Sequence, residues 1–207
     1  MRRAFLRHLT RSIRRRTSET RVDRDELNSR ADDYVSANAH LAHTAVEAAH
    51  IELVCLVLAA HDYLARRSID ADIAEKILED AVLIPGRGFT RWATRILLAF
   101  SRDPMATLVR FSSERIPPSY GRLFSFEEER VGSERYTMRA TRCFYHAFFT
   151  RYGVPHLTHI FCRWDEAWIE PISETRHGVR FSRPETIATG AQSCPFTFQR
   201  IRARNKD

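Results

Sequence analysis

The hydrophobic period of this chain first changes just after Pro117-Pro118, and that change sets the fold class. Before it, apolar residues recur at helical spacing. Asp25 to about Arg67 contains neither Pro nor Gly, and Val54-Cys55-Leu56-Val57-Leu58-Ala59-Ala60 is apolar all round, which predicts a long helix, or two in series, with a buried second half. Ser68-Ile69-Asp70 breaks it, and Ile73, Ile77, Leu78 and Val82 then share a helix face. Pro85-Gly86-Arg87-Gly88 predicts a firm stop, Thr90 to about Phe100 another helix, and Asp103-Pro104 the start of one ending before Pro117. After the change, Leu123–Val131 reads as extended, Gly132-Ser133-Glu134 as a turn and Arg135–Thr141 as an alternating strand, so a hairpin is expected. Helices follow at Phe144–Tyr152 and from Asp165 to about Ile172, then strands at Val179–Ser182 and Pro195–Ile201, with Phe196 and Phe198 on one side. The expectation is an α+β fold: N-terminal helices, then a four-stranded antiparallel sheet in β-hairpin–α–α–β–β order.

Charge bears on partners. The chain of 207 residues carries a formal net charge of +7, yet residues 1–16 hold Arg2, Arg3, Arg7, Arg11, Arg14, Arg15 and Arg16 and no acid. Without those seven, basic and acidic residues are equal in number, so the high pI does not mark a nucleic-acid-binding domain. Phe5, Leu9 and Ile13 fall on one helical face among the arginines. Three readings are open for this segment: a basic helix touching anionic lipid, an organellar transit peptide, or a solvated extension. The expected organisation is a basic extension over 1–22, a helical region over 23–118 packing on the sheet, and an α+β region over 119–207, the last two forming one compact domain. Four cysteines are too few for a disulfide scaffold, and no secretory signal or run of about 18 apolar residues is visible, so a reduced cytoplasm is the expected location.

Candidate chemistry concentrates in the last third. Cys143 follows a strand and opens a helix, where free N–H groups favour a thiolate, and His146 lies three residues on, on the same face. The plain alternative is a buried, inert thiol beside a satisfied histidine. Cys162 and Asp165 repeat the arrangement at the next helix start, where Asp165 can equally cap the helix. Gly190 precedes Cys194 and allows close approach by a ligand, or is simply a turn glycine before a core cysteine. Arg139, Arg142, Arg163 and Arg183 sit on the same elements and suit an anionic substrate. Cys143, His146, His159, Cys162 and Cys194 match no standard zinc spacing, and His43, Glu47 and His50 share a face without a second pair to complete a site. There is no GxGxxG, Walker A, GxSxG or HExxH motif. No metal and no cofactor is expected.

The stretch from Met138 to Arg200 resembles the L-2-amino-thiazoline-4-carboxylic acid hydrolase family. It carries Thr141-Arg142-Cys143-Phe144-Tyr145-His146, then Arg151-Tyr152-Gly153-Val154-Pro155-His156, then Phe161-Cys162-Arg163-Trp164-Asp165, and closes with Thr186-Ile187-Ala188-Thr189-Gly190 and Cys194-Pro195-Phe196-Thr197-Phe198. It departs in having Pro195 where an Asp is common, and Arg183-Pro184-Glu185-Thr186 where Arg-Thr-x-Thr is usual. The resemblance implies hydrolysis of a small cyclic isothiourea bearing a carboxylate, opening the ring to a carbamoyl-cysteine product, or bacterial natural-product tailoring of a related amino-acid-derived substrate. With it, Cys143 attacks or polarises the amidine-like carbon, His146 moves protons, and Asp165 orients or acts as base; Cys162 or Cys194 supplies the nucleophile instead or lines the pocket. Arg142 or Arg163 holds the carboxylate, and His159 and Gly190 complete the substrate-binding set. The element order also resembles vinyl-reductase-type domains, which implies the alternative of a non-catalytic small-ligand binder. A small-molecule substrate and no nucleic acid are expected as partners, with membrane contact through 1–16 as a further option; the oligomeric state is left open.

Overall fold

The computed structural model describes residues 1–19 and 21–201. Its order is α1 (Arg2–Arg16), α2 (Arg24–Asn38), α3 (Ala45–Arg66), α4 (Ala71–Ala99), α5 (Pro104–Tyr120), β1 (Ser125–Val131), β2 (Arg135–Arg142), α6 (Phe144–Arg151), α7 (Thr158–Trp164), α8 (Glu166–Ile169), α9 (Glu174–His177), β3 (Val179–Ser182) and β4 (Cys194–Arg200). This is the expected α+β class, with an antiparallel sheet ordered β1-β2-β4-β3. The chain divides into two compact units, one of residues 1–87 and 147–164, the other of residues 88–146 and 165 onward.

The first unit is helical. Its centre is α3, where Val54 through Ala60 are all buried, as the all-round apolar run requires. α3 has the length and apolarity to cross a membrane, but in this unit those residues form the core. Asp23 caps α2 by accepting from the Asp25 and Glu26 N–H groups, and α2 packs on α3 with Leu27 and Ala31 buried. Glu47 is fully buried in the first turn of α3 and accepts the His43 N–H at 2.7 Å, so it braces the helix start.

Residues 2–16 are a packed helix, not a solvated extension. Phe5, Leu6, Leu9 and Ile13 are buried, so the apolar face that would lie on lipid is already covered. Acids distant in sequence anchor the arginines: Arg2 meets Asp32 at 2.6 Å and Glu52 at 2.9 Å, and Asp80 receives Arg15, Arg16 and the Ser12 hydroxyl. Burial opposes the charge on Asp80, but these hydrogen bonds outweigh it and hold its carboxyl below the ordinary range.

The expected stop at Pro85-Gly86-Arg87-Gly88 is absent, and α4 runs through it for 29 residues. An internal proline removes one helix hydrogen bond and costs about 3 kcal/mol, so packing must compensate. Ile77, Leu78, Ala81, Val82 and Leu83 are buried just before it. Gly86 admits the Trp164 indole so closely that a Cβ would lie 2.5 Å from its ring. Gly86→Ala should therefore destabilise the protein by about 1–2 kcal/mol in urea unfolding, overpacking exceeding the gain in helix propensity. Likewise α5 includes Pro117 and Pro118 and ends at Tyr120, with Ile116 buried and the Gly121 N–H returning to the Pro117 carbonyl.

The second unit holds the sheet. Met138 pairs with Phe196 and Tyr136 with Phe198, so these side chains share one face, and Val179 and Phe181 of β3 extend it. Leu98, Met105, Leu108 and Ile116 pack against that face. Thr197 and Gln199 point the other way, as the alternation predicts.

Candidate active site

The second unit brings a carboxylate, a guanidinium and a thiol together beside an aromatic cluster. Asp165 precedes α8, and Arg183 directly follows β3. Arg183 Nη1 donates to Asp165 Oδ2 at 2.8 Å, with side chains only 12% and 15% exposed. The Arg183 guanidinium also lies 5.1 Å from the centre of the Phe196 ring, so it is held between a carboxylate and an aromatic face. Asp165 occupies the N-cap position but makes no side-chain cap bond. The capping alternative is thereby corrected: the carboxylate turns to Arg183, and Trp168 also hydrogen-bonds it. Burial pushes the Asp165 carboxyl up to about 6, against the pull of Arg183 and Trp168. That value leaves it ionised at neutral pH and basic enough to accept a proton.

Cys194 opens β4 on the same face as Phe196. Its Sγ accepts the Ile187 N–H at 3.2 Å. Burial raises its thiol, with the Ile187 bond and Arg183 opposing, so Cys194 is the wrong kind of thiol for a nucleophile at neutral pH. Gly190 ends the short turn after Thr186 with φ +94°, which a side chain would strain, while a Cβ there would meet nothing within 4 Å. Its role in this geometry is the turn that delivers Ile187 to Cys194. Trp168 walls this side, with ring centres 6.0 Å from Phe181 and from Phe196.

Cys143 sits between β2 and α6, as expected, and is a half-buried thiol. Tyr145 was not singled out by sequence reasoning. Burial raises its phenol well above the ordinary value, reinforced by Tyr120, Cys143 and Asp165, so it stays a protonated donor within electrostatic reach of both Cys143 and Asp165. Its ring packs 5.0 Å from Phe124, which packs 4.7 Å from Tyr120. Its placement two residues after Cys143 was the available signal. His146 is half-buried one turn into α6. Arg142 donates to the Arg122 carbonyl.

His159, Cys162 and Arg163 belong to the first unit. Cys162 lies inside α7 rather than at a helix start, because α7 already begins at Thr158. His159 is in its first turn and half-buried, and Arg163 pairs with Glu79. Among the described residues no three His, Cys, Asp or Glu side chains are grouped to hold a metal. A cleft of about 390 Å³ in the second unit lies apart from this cluster, lined by Asp103, Arg110, Arg130, Tyr136 and Arg200 among others.

Residues 49–198 match the family model described as L-2-amino-thiazoline-4-carboxylic acid hydrolase. The chain belongs to that family. The match runs from within α3 to β4, reaches into both units and includes every residue from Arg142 to Cys194 described above. A search of curated proteins finds no match. Two crystal structures of an Fe(II) unliganded H-NOX protein from K. algicida are similar at low scores. The alanine-to-glycine mutant is 12% identical with a TM-score of 0.34, covering 99% of this chain and 98% of that one. The other is 13% identical with a TM-score of 0.33, covering 87% and 95%. At those scores the likeness says nothing about ligand or chemistry.

Proposed function

We propose that the second-unit cluster is a hydrolytic site that opens a small cyclic isothiourea bearing a carboxylate, of the L-2-amino-thiazoline-4-carboxylic acid type. The supporting observation is the buried Asp165–Arg183 pair, a carboxylate with a pKa of about 6 within electrostatic reach of the Cys194 thiol and of the protonated Tyr145 phenol, which in turn reaches Cys143. Asp165 takes a proton from the attacking group. The Cys143 thiolate adds to the amidine carbon, the ring C–S bond breaks, and the departing sulfur takes that proton. Water then displaces Cys143, leaving a carbamoyl group on the ring nitrogen and a free thiol. His146 moves protons in the second step, Tyr145 donates a hydrogen bond to the charged adduct, and Arg142 meets the substrate carboxylate. Cys194 lines the site, and Arg183 positions Asp165.

The test is incubation with L-2-amino-thiazoline-4-carboxylate, following the appearance of a free thiol and the gain of one water in mass. No ring opening at stoichiometric enzyme would sink the proposal, and binding without turnover would favour the non-catalytic ligand binder. Cys143→Ser should lower turnover by about 100-fold or more, and substrate should protect Cys143 from alkylation near neutral pH. Unchanged turnover in that variant would leave water attacking directly with Asp165 as its base.

A further inference from the structure

We propose that the second half of α4 is a docking face for an anionic phospholipid surface. This is independent of the hydrolytic reading. Phe89, Trp92, Ile96 and Phe100 are spaced three, four and four residues apart, so they form one stripe about 17 Å long on the helix, with Leu97 beside it. Phe100 is 84% exposed, Phe89 72% and Trp92 58%, and Ile96 and Leu97 are exposed as well. Leu98, on the opposite side, is buried in the core of the unit, so this half of the helix has both an inner apolar contact and an outer apolar face. Single exposed apolar residues need no explanation, but five on one face do.

Charge selects the occupant. From Gly88 to Arg102 there is no acid and there are three arginines. Arg91 pairs with Glu170 at 3.0 Å, while Arg95 and Arg102 are exposed beside the stripe. An aromatic and aliphatic face with arginine on its flank is the composition of helices that lie in the bilayer interface, with the apolar side among the acyl chains and guanidinium groups at the phosphates. Trp92 is the residue type favoured at that depth. A two-fold pairing of copies through this stripe would bring like-charged arginines together. α1 does not compete for this role, since its apolar face is buried.

The full chain should sediment with phosphatidylcholine vesicles containing roughly a third phosphatidylglycerol, not with phosphatidylcholine alone, and should bind less at high salt. The triple variant Phe89→Ser, Trp92→Ser, Phe100→Ser should lose binding by about tenfold or more, and Arg95→Gln with Arg102→Gln by several-fold, both with the wild-type circular dichroism spectrum. Arg7→Gln, Arg11→Gln and Arg14→Gln together should retain most of it. If the triple variant fails to fold, the arginine pair and the Trp92 emission, read as the difference from Trp92→Phe, still decide: a blue shift on anionic vesicles supports docking and its absence refutes it. No binding to anionic vesicles, binding unaltered in a folded triple variant, or a concentration-dependent dimer that this variant abolishes would each overturn the proposal.

Discussion

Asp165→Asn is expected to lower kcat/KM for L-2-amino-thiazoline-4-carboxylate by about 100- to 10,000-fold, the usual range for loss of a positioned base. The side chain keeps its shape but loses both the ability to take a proton and the charge that pairs with Arg183. In the wild type, kcat/KM should rise with pH and level off, with an inflection near 6, because burial outweighs Arg183 and Trp168 in setting that carboxyl. The same shift has a consequence for stability of opposite sign. Between the ordinary value of 3.8 and about 6, the folded state keeps a proton that the unfolded chain has released. Stability therefore falls as pH rises through that window, by up to about 3 kcal/mol. His8, His156 and His177, lowered by burial, contribute with the opposite sign in the same window, so the decline is read as the difference between wild type and Asp165→Asn in urea unfolding at about pH 4 and about pH 7. A pH–rate profile without the acidic limb would remove Asp165 as the base.

What the sequence made legible was whatever depends on near neighbours. The all-round apolar run at Val54–Ala60 is the centre of the first unit, and the alternation at Phe196 and Phe198 gives the inner face of β4. The strand Val179–Ser182 and the turn at Gly132 follow from residue types within a few positions. The breaks expected at Pro85 and Pro117 failed because local rules were outweighed by contacts from far away, the Trp164 indole over Gly86 among them. Residues 2–16 illustrate the same limit. Their amphipathic pattern is plain, but whether it covers lipid or protein depends on Asp32, Glu52 and Asp80, which no window on the segment contains. At the candidate site, Asp165 could be named from its position, whereas its pairing with Arg183 across 18 residues could not. Tyr145 was hidden for a related reason: a tyrosine in an aromatic stretch reads as core until its burial and its charged neighbours are known.

That pairing carries the second large effect. Arg183→Met should destabilise the protein at neutral pH by about 3–5 kcal/mol, because it strips the cation from a carboxylate that remains out of water. The loss is not the net worth of the pair, which desolvation of both charges keeps small. The double variant Arg183→Met with Asp165→Asn should therefore recover much of it, and a double-mutant cycle in urea would show strong coupling. Arg183→Lys keeps the charge but not the guanidinium over the Phe196 ring, so it should fall between wild type and Arg183→Met. Kinetics separate positioning from mere stability. With Arg183 gone, only Trp168 still holds the Asp165 carboxyl down, and the acidic limb of kcat/KM should move to higher pH. In Arg183→Lys it should stay near 6. A limb unmoved in Arg183→Met, with the protein still folded, would mean that Arg183 does not set the basicity of Asp165 and that the pair is only a structural tie between α8 and the end of β3.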